Sequence, residues 1–228
     1  MLHFHIITLF PRAIQPYLES SILGRAIEKK LIKISYYDPK KYAVGKHPIR
    51  KASPSNGAGK RYLRVDGRPY GGGPGMVMLP EPVLCASEKA LKNKKRVERI
   101  FFATDGKQFD EEMARKLSKK KNVLLICGRY EGVDARVPKI LKAKSVSVGP
   151  YVLTGGELPA ASVIDAVARF IPGVLGKIES LERNRVSSPE VYTRPDVLVW
   201  KKKKYKVPAV LKTGHHARIN EWKRKQKA

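Results

Sequence analysis

The residue types with the capacity for chemistry are concentrated between positions 123 and 159. Val123 to Cys127 is an unbroken apolar run closed by Gly128, the pattern of a strand buried on both faces of a parallel sheet. Ligands in open α/β sheets bind at the carboxyl end of such strands. Gly128-Arg129-Tyr130-Glu131-Gly132 then sets a cation, an aromatic ring and a carboxylate between two glycines, so that backbone approaches a ligand while side chains hold it. Ser145 to Val148 alternates weakly as a second strand. It leads into Gly149-Pro150-Tyr151-Val152-Leu153-Thr154-Gly155-Gly156-Glu157, too apolar for a solvated loop and too rich in glycine for a helix. One Gly-Gly pair alone is an ordinary turn. Two such turns, each behind a strand, predict an apolar-lined cleft with exposed backbone N–H and C=O groups, suited to a flat heterocycle with a polar tail.

Other elements must position these turns. His3 to Leu9, closed by Pro11, reads as a central strand with His3 and His5 directed into the structure. Ile14 to Lys30 carries apolar residues at helical spacing and predicts one or two amphipathic helices, and Leu31 to Tyr37 predicts a strand. The stretch 41–64 is a basic loop rich in Gly, Pro and Ser. Its Gly57-Ala58-Gly59-Lys60 is no phosphate loop, because Pro54 and Arg61 stand where that motif needs Gly and Ser or Thr, and ATP or GTP binding is excluded on this ground. Asp66 to Gly75 places three glycines between Pro69 and Pro74 and must be irregular. Met76 to Leu91 predicts an apolar stretch and a helix, Glu98 to Thr104 a strand ending at Ala103-Thr104-Asp105-Gly106, and Asp110 to Leu117 a helix. Leu158 to Phe170 predicts a helix whose apolar face covers the cleft, with Arg169 at the end where the helix dipole favours a cation.

The strings GRYEG, YVLTGGELP and RPYGGGPGM (residues 68–76) together resemble the bacterial tRNA (guanine-N1)-methyltransferase family of the knotted SPOUT superfamily. The resemblance continues through Asp165 to Gly176, Tyr192-Thr193-Arg194-Pro195 and Gly214-His215-His216, and covers nearly the whole chain. It implies an α/β fold with a SPOUT-type parallel sheet and a deep trefoil knot over residues 1–175, a flexible linker over 176–188, and a small, mainly helical, basic tRNA-binding domain over 189–228. Without it, the pattern reads as Rossmann-like, although no GxGxxG follows any strand. It further implies an obligate homodimer with composite active sites, S-adenosylmethionine as methyl donor, and transfer to N1 of the guanosine at position 37 of tRNA, beside the anticodon. Donor contacts are then expected from Gly128, Tyr130 and Glu131, from Val148, Gly149, Pro150, Tyr151, Val152 and Leu153, from Ala103 and Thr104, and from Gly155, Gly156 and Pro159. Substrate contacts are expected from Tyr70, Gly71, Gly72 and Gly73 and from Arg194, Gly214 and His215. Asp66 and Arg169 occupy catalytic positions.

Three departures from the family pattern stand out. Only Asp66 represents an acidic pair, ATDG replaces a more usual Ser-Pro, and Asn184 occupies the position, fifteen residues beyond the arginine, where the family has a carboxylate base. An amide is no base at neutral pH. Glu182 takes over, Glu190 lies nearer than the alignment suggests, or turnover is impaired. Rival readings are a SPOUT methyltransferase of another RNA and a catalytically weakened RNA-binding descendant. The family's magnesium dependence is carried over only as an expectation, since the sequence shows no dedicated ligand cluster.

Composition agrees with an RNA partner. The 228 residues include 47 Lys and Arg against 20 Asp and Glu, a formal charge of +27. So large an excess points to a polyanion, with surface lysine from a Lys-rich genome as the competing explanation. Cys85 and Cys127 lack metal-ligand spacing and predict reduced thiols without zinc in a cytosolic chain. MLHFHIITLFP lacks the features of a secretory leader, and no stretch approaches a membrane span. From Pro189 the chain is basic, with Trp200, Tyr205, Trp222 and Lys201 to Lys204. Stacking on RNA and formation of a minimal local core account for the two tryptophans equally well.

Overall fold

The computed structural model describes residues 1–43, 64–175 and 190–226. They belong to two compact units, Met1–Val174 and Leu175–Ala228. In chain order the first contains β1 (Leu2–Ile7), α1 (Gln15–Leu18), α2 (Ser21–Glu28), β2 (Ile32–Tyr37), β3 (Asp66–Gly67), β4 (Val77–Met78), α3 (Pro80–Leu91), β5 (Val97–Gln108), α4 (Glu111–Ser118), β6 (Asn122–Ile126), α5 (Arg136–Leu141), β7 (Lys144–Ser147) and α6 (Glu157–Ala168).

Five of these strands form a sheet in the order β2-β1-β6-β5-β7, and every neighbouring pair is parallel. Apolar runs without alternation are what such a sheet requires, because helices cover both faces. Val123 and Leu125 of β6 pack with Ile14, Leu18, Leu23 and residues of α4 and α6 on one side. Leu124 and Ile126 pack with Val83, Ala86 and Ala90 of α3 and Val137 and Leu141 of α5 on the other. The helices predicted within 14–30, 76–91, 110–117 and 158–170 are all present, the first as two pieces and the others as Pro80–Leu91, Glu111–Ser118 and Glu157–Ala168. Asp110 caps α4 by accepting a hydrogen bond from the Met113 N–H at 2.7 Å. His5 is fully buried and His3 partly so, their rings 3.8 Å apart on one face of β1.

One strand runs longer than its sequence indicates. The turn-like Ala103-Thr104-Asp105-Gly106 does not end β5, which continues to Gln108. Phe102 and Lys107 both pair with Val146, so the four residues between them bulge from the ladder. The turn-forming residues mark the bulge, not the end of the strand.

The second unit holds an antiparallel hairpin, β8 (Val197–Trp200) and β9 (Lys203–Lys206), and a helix, α7 (His216–Lys225). The hairpin was not legible in the lysine run, because Lys201 and Lys202 make its turn with φ of 46° and 64°, where Asn-Gly is the usual signal. Trp200 is 62% exposed and forms no local core, whereas the half-buried Trp222 lies 6.4 Å from the Tyr192 ring. Both cysteines are free. Among the described residues no helix is long and apolar enough to cross a membrane. Most of the basic loop over 41–64 and of the predicted linker, with Glu182 and Asn184, lies outside the described residues.

Candidate active site

The two glycine turns of the sequence are joined at the carboxyl edge of the sheet. The carbonyl of Gly128, just past β6, accepts a hydrogen bond from the N–H of Gly156 at 2.9 Å, which brings the turn after β7 onto the turn after β6. A side chain at Gly156 would place its Cβ 2.6 Å from the Cα of Cys127, so only glycine permits this approach. Gly156 and Pro159 are buried, and their role is to seat the start of α6. Gly128 differs: its missing Cβ would meet only Val133 Cγ2, at 3.4 Å, leaving the edge open. Because β5 lies between β6 and β7, the bulge at Ala103 and Thr104 falls between Gly128 and Val148. Val152 and Leu153 project from the second turn, with Val152 83% exposed, whereas the Tyr151 ring folds back over Gly149 and its hydroxyl donates to the Val148 carbonyl at 3.4 Å.

The triglycine loop reaches the same place. β3 and β4 pair antiparallel, Asp66 opposite Met78, and the loop between them carries Gly71, Gly72, Gly73 and Gly75 at φ of 82°, 81°, 111° and 76°, conformations that other residues rarely adopt. β4 is bonded to the GRYEG segment by Met78 N–H to Gly132 O at 2.9 Å and Asp134 N–H to Met78 O at 3.1 Å. The Glu131 carboxylate lies over Gly75, where a Cβ would come within 2.5 Å of Oε1. Tyr70 at the loop's tip is fully exposed, and Tyr130 is half-exposed at φ 61°. Asp66 is half-buried and 3.6 Å from the Arg64 guanidinium.

Beneath these turns is a buried ion pair that the sequence reading did not assemble. Arg129 Nε lies 2.9 Å from Glu157 Oε2, and Glu157 Oε1 accepts a hydrogen bond from the Thr8 hydroxyl at 2.7 Å. The same guanidinium sits 4.8 Å from the centroid of Phe10 and donates to the carbonyl of Thr154 at 3.2 Å. Both charges stand inside the two motifs, but their partnership depends on the turns meeting in space. Burial, and next the Glu157 charge, push the Cys127 thiol well above its ordinary range, so it is no nucleophile. Arg129 also borders a cavity of about 540 Å³ with Leu9, Phe10 and Arg12.

Arg169 lies elsewhere. It is half-buried at the carboxyl end of α6 and lines a separate cavity of about 510 Å³ with Ile14, Tyr17, Leu158 and Asp165. No residue of the glycine turns borders that cavity. The Tyr17 hydroxyl donates to Asp165, a bond that, with burial, raises the tyrosine above its ordinary pKa. Within one chain, therefore, the expected catalytic arginine lines a cavity apart from the expected donor turns.

In the second unit, His215 caps α7, its Nδ1 accepting from the Arg218 N–H at 3.4 Å, and Gly214 precedes it at φ 69°. Arg194 is exposed and precedes a cis proline. Among the described residues no group of three His, Cys, Asp or Glu side chains could hold a metal ion.

Residues 2–228 match the family model for tRNA (guanine-1)-methyltransferase TrmD. The tRNA (guanine-N(1)-)-methyltransferase of Clostridioides difficile strain 630 is 37% identical over 232 residues, which span 99% of this chain and 92% of that protein. Its counterpart from Myxococcus xanthus is 42% identical over 225 residues, 96% of this chain and 83% of that protein. The crystal structure of tRNA (m1G37) methyltransferase from Aquifex aeolicus superimposes with a TM-score of 0.75 at 35% identity, covering 97% of this chain and 87% of that one.

Proposed function

Because the chain belongs to the tRNA (guanine-1)-methyltransferase family, we propose that it transfers a methyl group from S-adenosylmethionine to N1 of guanosine 37 in tRNA. The observation that carries this reading is the hydrogen-bonded union of the two glycine turns, with Gly128 left open beside it. That edge fits the donor: Gly128 leaves it open, residues 150–153 are exposed beside it, and the apolar side chains of Val152 and Leu153 offer surface to the adenine ring. When bound, the donor supplies an electrophilic methyl on a sulfonium that needs no acid to leave.

The chain supplies the rest. N1 of neutral guanine carries a proton, so a base must remove it before or as nitrogen attacks. Charge then develops on O6, where Arg169 stabilises it. Asp66, beside the triglycine loop, orients the base, and Tyr70 with Gly71, Gly72 and Gly73 encloses it. Asn184 stands at the position of the base; Glu182 or Glu190 substitutes for it, or the rate is low. Glu190 already accepts a hydrogen bond from Tyr192. Arg194, Gly214 and His215 contact tRNA. Magnesium finds no resident site among the described residues, and no step is assigned to it.

The same reading includes a trefoil-knotted catalytic domain over 1–175, a linker over 176–188 and a tRNA-binding domain over 189–228. The return of the chain from edge strand β7, past β5, to lie against β6 supports the knot. It also includes a homodimer with composite sites, supported by the separation of the Arg169 cavity from the glycine cleft. The test is methyl transfer from labelled donor to unmodified tRNA transcripts with the product base mapped. Label at N1 of guanosine 37 is the expected result. Label on another base or on a 2′-hydroxyl refutes it, and tRNA binding without label identifies a non-catalytic descendant.

A further inference from the structure

The loops that enter the strands carry a charge pattern for which the methyl-transfer site has no use. Since β2, β6, β5 and β7 are parallel, their amino ends share the sheet edge opposite the glycine turns. The segments leading into them are KKLIK (29–33), KNKKR (92–96), KKK (119–121) and KAK (142–144). These hold twelve Lys or Arg residues and no Asp or Glu, and all twelve except the half-buried Lys94 are exposed. Two carboxylates border these segments: Glu28, exposed beside Lys29, and Glu98, engaged at 2.6 Å by Lys144 and at 3.3 Å by Lys120. At the other edge cations and carboxylates are interspersed: Arg12, Lys40, Lys41, Lys107, Arg129 and Arg136 stand among Asp38, Asp105, Glu131, Asp134 and Glu157, with Arg129 paired to Glu157 and Arg136 to Asp134. What sets the entering segments apart is the absence of any Asp or Glu within them, where the other edge mixes both signs. Moreover, Lys30, Arg96 and Lys142 occupy left-handed turn positions at φ of 55°, 54° and 48°, where glycine or asparagine is accommodated more readily. Cations are kept there against the conformational preference of the backbone.

We propose that this edge is a second RNA-binding surface, which grips the phosphate backbone of a duplex independently of the methylation cleft. From β2 to β7 the edge spans four strand spacings, about 19 Å at about 4.8 Å each. A nucleic-acid duplex presents one phosphate per about 1.7 Å of axis, about a dozen charges over that length. The four segments contain no aromatic side chain, so contact is with phosphates and not with stacked bases, and binding is independent of sequence. The choice of RNA as the polyanion rests on the methyltransferase reading; the duplex-binding property does not.

The test uses the full chain and a blunt RNA duplex of about sixteen base pairs, long enough to cross the edge. Binding is followed by fluorescence anisotropy across a salt series. The variants K95Q/R96Q/K121Q and, on other loops, K29Q/K30Q/K142Q should each weaken duplex binding about tenfold or more at moderate salt and make the log–log salt dependence shallower by about two to three. The control K41Q/K107Q, at the opposite edge, should bind the duplex as the parent does. Methylation of an isolated anticodon stem-loop should stay within about twofold of the parent in both edge variants, since they leave the cleft alone. Unchanged duplex affinity in both edge variants, or an equal loss in the control, overturns the proposal. So do anionic phospholipid vesicles that displace the duplex through the same lysines, which would make the edge a membrane surface. Duplex binding by a parent chain that methylates nothing would sink the enzymatic reading and leave this surface standing.

Discussion

Arg129 and Glu157 come from turns that follow different strands, and their ion pair is only 23% and 2% exposed at the two side chains. Removing one partner of such a pair leaves the other charge buried and unpaired, which typically costs about 3–5 kcal/mol. Arg129→Met should therefore lower unfolding free energy by about 3 kcal/mol, and chemical denaturation checks this; a loss below about 1 kcal/mol would mean that Thr8 and water suffice for Glu157. The two charges were visible in GRYEG and GGELP, but their pairing was not, because it spans 28 positions and requires the second turn to cross back over the sheet. The identity of the base is a different kind of problem. With Asn184 at the family's position, Asn184→Asp should raise the single-turnover methylation rate by about a hundredfold if no other carboxylate serves. If Glu182 serves, Glu182→Gln should abolish a rate that Asn184→Asp then restores. Should neither substitution change the rate while Arg169→Ala abolishes it, the base is elsewhere.

At the scale of elements, the carboxyl end of β6 separates two kinds of glycine that look alike in sequence. Gly156→Ala forces a Cβ against the Cα of Cys127 and should destabilise the whole first unit, seen as a lower melting temperature. Gly128→Val sets a Cβ in contact with the Val133 side chain alone and should leave the melt nearly unchanged while abolishing S-adenosylmethionine binding by calorimetry; a folded variant with parental affinity removes Gly128 from the donor site. The amino end of β1 carries a pH dependence. His3 is held down to about 4 by burial first and then by the charges of His5, Lys33 and Lys94, and His5 is lowered chiefly by burial, against the hydrogen bond its Nε2 donates to the Asn122 side-chain oxygen, which raises it. An unfolded histidine titrates near 6.5. Between about 6.5 and 4 the unfolded chain thus binds protons that the folded chain excludes, so stability is complete above 6.5 and falls as pH drops through this window. His3→Gln should flatten the decline in denaturation midpoints between pH 7 and 4.5, and an unaltered slope would place its origin elsewhere. The strands and helices were legible because a parallel sheet demands apolar runs of strand length between amphipathic stretches. The β5 bulge and the lysine-turned hairpin were not, because each uses residues that local propensity assigns to something else.

At the scale of the whole molecule, the proposed catalytic arginine and the proposed donor edge stand apart: Arg169 shares its cavity with Leu158 and Tyr17, 58% and 52% exposed, while the donor edge carries Val152 and Tyr151, 83% and 55% exposed. Large apolar side chains left in water mark contact surfaces. A symmetric dimer formed through them would set the arginine of each chain against the glycine cleft of the other, and a two-fold interface does this twice. Leu158→Glu should accordingly yield a monomer in sedimentation and abolish methyl transfer together. The decisive form of the prediction mixes two inactive variants, Arg169→Ala and Gly128→Val. In a mixed dimer, one composite site receives the intact cleft of the first chain and the intact arginine of the second, while the other site receives both defects. Random exchange of equal amounts makes half the dimers mixed, so activity should return to about a quarter of the parental value. Were each chain to carry a complete site of its own, exchange of subunits, verified by differential tagging, would restore nothing.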